Sequence, residues 1–231
     1  MKRFWTDVTV TAEGDAQGIA LDGKPIRTPG RALLTVPTRA LAEAIADEWR
    51  GVEGDVDPRA MPLTGLANAS IDSIARDPAG FATTLAKYGE SDLLYYRAEE
   101  PAPLVERQRA AWDPALDWAR TRYDVHFETA TGVMHRAQPP ATIERLREAT
   151  AARDAFALAG LHHIVTVTGS LVLALALAEG AMTPDAVWHA ARIDEDWQIE
   201  MWGEDDLAAQ ATAAHKADFD AGARFLALLL N

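Results

Sequence analysis

Seven carboxylates and not one Lys or Arg fall between Ile193 and Asp206, so this stretch carries −7 of a formal charge of −13. The acids are Asp194, Glu195, Asp196, Glu200, Glu204, Asp205 and Asp206, and three of the seven tryptophans, Trp188, Trp197 and Trp202, lie in or beside them. Carboxylates can serve acid/base chemistry or meet donors on a partner, while indoles supply rigid anchor area at a protein interface. On a helical wheel Val187, Ala190, Ala191, Trp197, Met201 and Trp202 share one broad apolar arc, with Asp194 and Gln198 in its middle. Arg192, Asp196 and Glu200 point away from that arc. A carboxylate on an apolar face is costly unless it is paired or hydrogen-bonded. Two readings are open: Asp194 accepts bonds from Gln198 or from another helix and holds a bundle in register, or it lies in a groove and meets a partner's backbone or basic side chain. In the second reading Asp194 and Gln198 are the contact, Trp197 and Trp202 the anchors, and Glu195 a steering charge.

Other chemistry finds less support. Gly18 to Lys24 has the spacing of a phosphate-binding loop, but Pro25 stands where a Ser or Thr would ligate magnesium, and Asp22-Gly23 reads as a hairpin turn rather than the start of a helix. No nucleotide or other cofactor is expected. The six histidines, among them the adjacent His162 and His163, show no close ligand spacing, so no metal is expected either. There is no nucleophile elbow around Ser170, and adjacent acids such as Glu99-Glu100 or Asp205-Asp206 on an acidic protein are ordinarily solvated. No catalytic residue is assigned. The competing reading is an enzyme for a small molecule, using Asp194 or Glu195 as acid/base in an acidic cleft between two domains.

The elements that must position these residues follow from the patterning. Phe4, Thr6, Val8 and Val10 alternate with Trp5, Asp7 and Thr9, and strands are expected again at Ile19–Leu21, Lys24–Arg27 and Ala32–Val36. A helix over Arg39–Trp49 places Leu41, Ile45 and Trp49 on one face. Gly51 to Pro58, rich in Gly, Asp and Pro, reads as a seam, giving a β-rich domain at 1–57 and a helical one at 58–231. In the latter, helices are expected over Pro62–Arg76, Pro78–Tyr88, Leu104–Tyr123, Pro140–Ala152, Asp154–Thr168, Ser170–Glu179, Pro184–Met201 and Asp205–Leu229. Short extended pieces are expected at Leu93–Tyr96 and Val125–Thr129. The fold class is α+β, a small N-terminal antiparallel β-containing domain followed by a larger all-α one.

The acidic balance disfavours nucleic acid and anionic membrane as partners. Zero cysteines remove disulfides and thiol chemistry. The apolar run Ile164–Ala178 is broken by polar residues and shorter than the roughly 20 residues that span a bilayer, so it reads as buried helix and no membrane insertion is expected. The opening MKRFWTDVTV has no export signal pattern, and the expected compartment is the cytoplasm.

The signature Arg192-Ile-Asp-Glu-Asp-Trp-Gln198 followed by Trp202-Gly-Glu-Asp205 resembles that of the F1-ATPase assembly chaperones for the α subunit, the ATP synthase F1 complex assembly factor 2 family. The likeness extends along the chain through Phe4-Trp5, Leu21 to Pro29, Glu48-Trp49, Met61 to Thr64, Ser91 to Arg97, Gln108 with Trp112-Asp-Pro114, and Gly169 to Ala176. The resemblance implies a non-catalytic chaperone that binds the free α subunit until β subunits cover the same surface, with the important carboxylate at Asp194. The acids after Trp202-Gly203 suit a bacterial relative; eukaryotic relatives work in the mitochondrial matrix.

Overall fold

The computed structural model describes residues 2–132 and 134–230. By internal contacts the chain divides into two compact units: 1–78 with 154–160 and 224–231, and 79–153 with 161–223. The stretch 51–58, expected as a seam, lies inside the first unit. Its flanks are joined there by Glu48, whose carboxylate accepts the Leu63 and Thr64 backbone N–H groups at 2.8 Å each and the Thr64 hydroxyl at 2.7 Å. An anion placed on the first N–H groups of a helix is favoured by both hydrogen bonding and the helix dipole.

In the first unit, β1 (Val8–Glu13) and β2 (Ala16–Leu21) form an antiparallel hairpin, with Val8 opposite Leu21 and Glu13 opposite Ala16. The other edge of β2 pairs with β3 (Lys24–Pro25) and β4 (Thr35–Val36). Asp22 and Gly23 both have positive φ, 47° and 76°, as the expected two-residue turn requires. The Asp22 carboxylate accepts the Asp7 and Thr6 N–H groups at 2.8 and 3.0 Å, and these bonds lower its pKa. The segment with phosphate-loop spacing therefore runs from strand through turn to strand. Residues 4–7, expected as strand, precede the paired region, and Trp5 turns inward while Phe4 stays exposed. Helix α1 (Arg39–Arg50) buries Leu41, Ile45 and Trp49 as its spacing predicts, and Trp5 meets Trp49 edge-on at 5.2 Å. Helix α2 (Pro62–Asp72) follows.

The second unit is helical. It holds α3 (Pro78–Ala86, from Ala79 onward), α4 (Ala102–Tyr123), α5 (Pro140–Ala151) and residues 161–168 of α6 (Ala155–Thr168). It continues through α7 (Leu171–Ala178), α8 (Pro184–Ala191), α9 (Ile193–Trp202) and residues 206–223 of α10 (Asp206–Leu229). The expected extended pieces become a 3-10 turn at Leu93–Tyr95 and a short parallel pair, β5 (Tyr96–Arg97) with β6 (Ala130–Thr131). The run from Ile164 to Ala178 is split by Gly169, with φ 66°, and by Ser170, whose hydroxyl caps α7 through Leu173 N–H at 3.0 Å. Residues Leu171 to Ala176 are all fully buried, which makes α7 the centre of this unit's core. No helix among the described residues is long and apolar enough to cross a membrane.

The expected single helix over Pro184–Met201 is two helices. Arg192, with φ −111° and ψ 9°, closes α8 and opens α9. Its guanidinium lies 5.4 Å from the Trp188 ring and bonds Asp196 one turn ahead at 3.1 and 3.2 Å. The break resets the phase of the helix, so one wheel drawn through both halves does not describe either face.

Candidate functional site

Helix α4 supplies the wall on which α9 sits. Its inward face runs through Gln108, Trp112, Ala115, Leu116, Ala119 and Tyr123, a 3.6-residue periodicity in which one member is polar. Trp112 is fully buried, and its indole N–H donates to the Ala190 carbonyl of α8 at 2.7 Å. The Arg97 guanidinium covers the Trp112 ring at 5.2 Å and pairs with Asp113 at 2.8 Å; burial lowers the Arg97 pKa and Asp113 opposes this. Pro114 has no N–H to donate to Ala110, leaving α4 one intrahelical bond short at its middle.

Helix α9 has no buried residue, an unusual state for an element of a folded domain. Two consecutive residues of α4 hold it. Gln108, only 2% exposed, accepts the Ala98 N–H on its Oε1 at 2.8 Å and donates from Nε2 to Asp194 Oδ1 at 2.7 Å. Arg107 makes a two-pronged pair with Glu200 at 2.7 and 2.8 Å and lies 4.9 Å from the Trp197 ring. The Arg107 bonds lower the Glu200 pKa.

Asp194 is thus half-buried and bonded from another helix, one of the two roles open from the sequence. Gln198 is exposed, and among the described residues no hydrogen bond joins it to Asp194. Glu195 is exposed and Trp197 half-buried beneath Arg107. Met201 and Trp202, assigned to the apolar arc with Val187 and Ala190, are instead 53% and 79% exposed while the latter two are buried. The helix break at Arg192 is the cause: the buried face of α8 does not continue into α9.

The acidic density also resolves into local causes. Asp194, Glu195 and Asp196 occupy the first turn of α9, where negative charge is favoured by the helix dipole, about 0.3–1 kcal/mol each. Asp205 caps α10 by accepting the Leu207 and Ala208 N–H groups at 2.9 Å, and Asp206 opens that helix. Glu200 is paired with Arg107. What local structure does not consume is the apolar surface around the α9–α10 junction, where Leu207 is 78% exposed as well.

A groove of about 720 Å³ lies along α4, α8 and α9, with Ala110, Ala111, Pro114 and Ala190 among its lining and the Arg107–Glu200 pair at it. Neither Asp194 nor Glu195 lines it. Among the described residues no group of three His, Asp or Glu side chains is placed to hold a metal ion. Arg107 and Gln108 are partners of α9 that sequence reasoning did not single out as such. Gln108 could have been found: it is the polar residue in phase with the buried face of α4.

Residues 2–120 match the profile of the ATP12 chaperone protein family. The chain is 23% identical over 214 residues to the mitochondrial protein atp12 of Schizosaccharomyces pombe, covering 87% of this chain and 74% of that protein. It resembles the crystal structure of Atp12 from Paracoccus denitrificans with a TM-score of 0.94 and 40% identity, over 99% of this chain and 98% of that one. A solved Agrobacterium tumefaciens protein matches with a TM-score of 0.93 and 43% identity, over 99% of this chain and 86% of that one. With the profile spanning half the chain and the solved relatives nearly all of it, the chain belongs to the ATP12 chaperone family.

Proposed function

We propose that this protein is a non-catalytic assembly chaperone of the proton-translocating ATP synthase that binds the free α subunit of F1-ATPase in the cytoplasm. The reading rests on family membership and above all on one observation: α9 has no fully buried side chain, only half-buried ones such as Asp194 and Trp197, and is held by bonds from α4 with Asp194 fixed at one end and Met201 and Trp202 exposed at the other. A helix whose inner face is only half-buried keeps most of its surface available to a partner. Large exposed apolar side chains rimmed by polar groups are the usual mark of a protein contact. Asp194, Glu195, Trp197, Gln198 and Trp202 are the proposed contact residues, with Asp194 meeting a donor or basic group of the client.

The test is aggregation of purified α subunit, followed by light scattering without nucleotide. Wild type is expected to suppress it near stoichiometric amounts, whereas folded Asp194→Lys needs about tenfold more, the scale of a lost charged hydrogen bond. Equal protection by the variant refutes the site, and no protection by wild type refutes the function.

A further inference from the structure

We infer that Gln108 is a positioning residue for the client-binding helix: its buried side-chain amide fixes the place of Asp194 and, through it, the start of α9. The inference rests on the proposed function for its consequence, but the geometry that carries it is independent of any client.

A side-chain amide carries one acceptor oxygen and one donor nitrogen, and the choice between its two orientations is made by its surroundings. At Gln108 the choice is made by the Ala98 backbone N–H, which needs an acceptor and takes Oε1 at 2.8 Å. Nε2 is then presented to residue 194, where only an acceptor fits, and the Asp194 carboxylate meets it at 2.7 Å. Because Gln108 is 2% exposed, water does not compete freely for that donor, and a buried polar group left unpaired is costly. Among the described residues this is the one hydrogen bond made by the Asp194 side chain, so one carboxylate oxygen is held.

The neighbouring clamp is of a different kind. Arg107 and Glu200 have side chains 46% and 49% exposed, and ion pairs this wet contribute little. Asp194 and Glu200 are six residues apart, about 9 Å along the helix. With no fully buried residue in α9 to fix its position, the part-buried bond at its first turn, made by a buried donor, is the stronger of the two attachments.

The two roles of the Gln108–Asp194 bond separate by substitution. Asp194→Asn keeps an oxygen to accept from Gln108 and removes the charge, which tests the proposed contact. Gln108→Met keeps the charge and removes this bond together with the acceptor of the Ala98 N–H, which tests positioning. In Gln108→Met, hydrogen exchange of backbone amides 193–202 is expected to quicken about tenfold while amides of the buried helix α7 keep their wild-type rates. The concentration giving half-protection of the α subunit is expected to rise by a similar factor. Arg107→Ala is expected to change both by less than about threefold. A merely structural glutamine would instead speed exchange throughout the unit. A folded Gln108→Met with wild-type exchange in 193–202 overturns the inference, whatever the client assay gives.

If Gln108→Met does not fold, the exchange Q108E/D194N decides. The carboxylate introduced on α4 would offer one oxygen to the Ala98 N–H and the other to the amide introduced on α9, so both bonds are kept with the charge moved onto α4. Slow exchange in 193–202 is expected there; exchange quickened tenfold in the folded double variant overturns the inference.

Discussion

Asp92 shows what a single carboxylate does when burial and bonding oppose each other. It is fully buried, accepts the Leu94 N–H at 3.1 Å and the Val172 N–H at 3.0 Å, and so ties the turn before β5 to the first turn of α7. Burial raises its pKa from 3.8 to about 6, and the bonds from Val172, Ser170 and Leu94 oppose the rise. An acid whose native pKa is raised holds its proton longer in the folded state. Its contribution is therefore most favourable below 3.8 and is lost as pH climbs to about 6. The difference amounts to roughly 3 kcal/mol. Chemical denaturation at pH 4 and pH 7 is expected to show the gap between wild type and Asp92→Asn shifting by about 2 kcal/mol in the variant's favour at the higher pH, part of the difference being already lost at pH 4. A gap independent of pH contradicts this account. Glu179 behaves oppositely: burial alone would raise its pKa, but bonds from Arg122 and Tyr123 and the charge of Arg153 hold it below the usual value. Neither role was legible in the sequence. Asp92 lies in an apolar segment whose phase says it is near a core, but only the fold reveals that its partners come from residues 170–172, nearly eighty positions on.

Among the elements, those governed by local rules were legible. Asp22-Gly23 has the chemistry of a hairpin turn and makes one; the four-residue spacing of Leu41, Ile45 and Trp49 marks the buried face of α1. The division of α8 from α9 was not legible, because neither Gly nor Pro stands at Arg192 and the break depends on where Trp188 and Asp196 place the guanidinium. The acid-rich stretch was seen, but its cause was hidden: it holds the N-termini of two helices, α9 and α10, which are joined by a three-residue link, 203–205. That link depends on Gly203, with φ 84° and ψ 165°, a region essentially closed to other residues. No atom crowds a Cβ built there, so a substitution would cost conformational strain alone. Gly203→Ala is expected to lower stability by about 1–3 kcal/mol in urea unfolding. It should leave the Gln108–Asp194 bond in place. An unchanged midpoint would show that the α9–α10 link relaxes freely.

For the whole molecule, composition and patterning were enough for the fold class, a small antiparallel sheet with a larger helical part. The grouping of residues 154–160 and 224–231 with the N-terminal unit was not legible, since it rests on contacts between distant segments that no local pattern encodes. The proposed function likewise depends on a property of the assembled chain: an acidic protein that orders α9 by polar attachment and leaves Met201, Trp202 and Leu207 exposed. The most direct test is affinity capture of the wild-type chain from cells that make it, with the co-purifying proteins identified by mass spectrometry against an Asp194→Lys control. The account predicts F1-ATPase α-subunit peptides strongly enriched over β-subunit peptides with wild type and reduced to background with the variant. Alpha-subunit peptides at background with wild type, under conditions where the subunit is being synthesised, would contradict it.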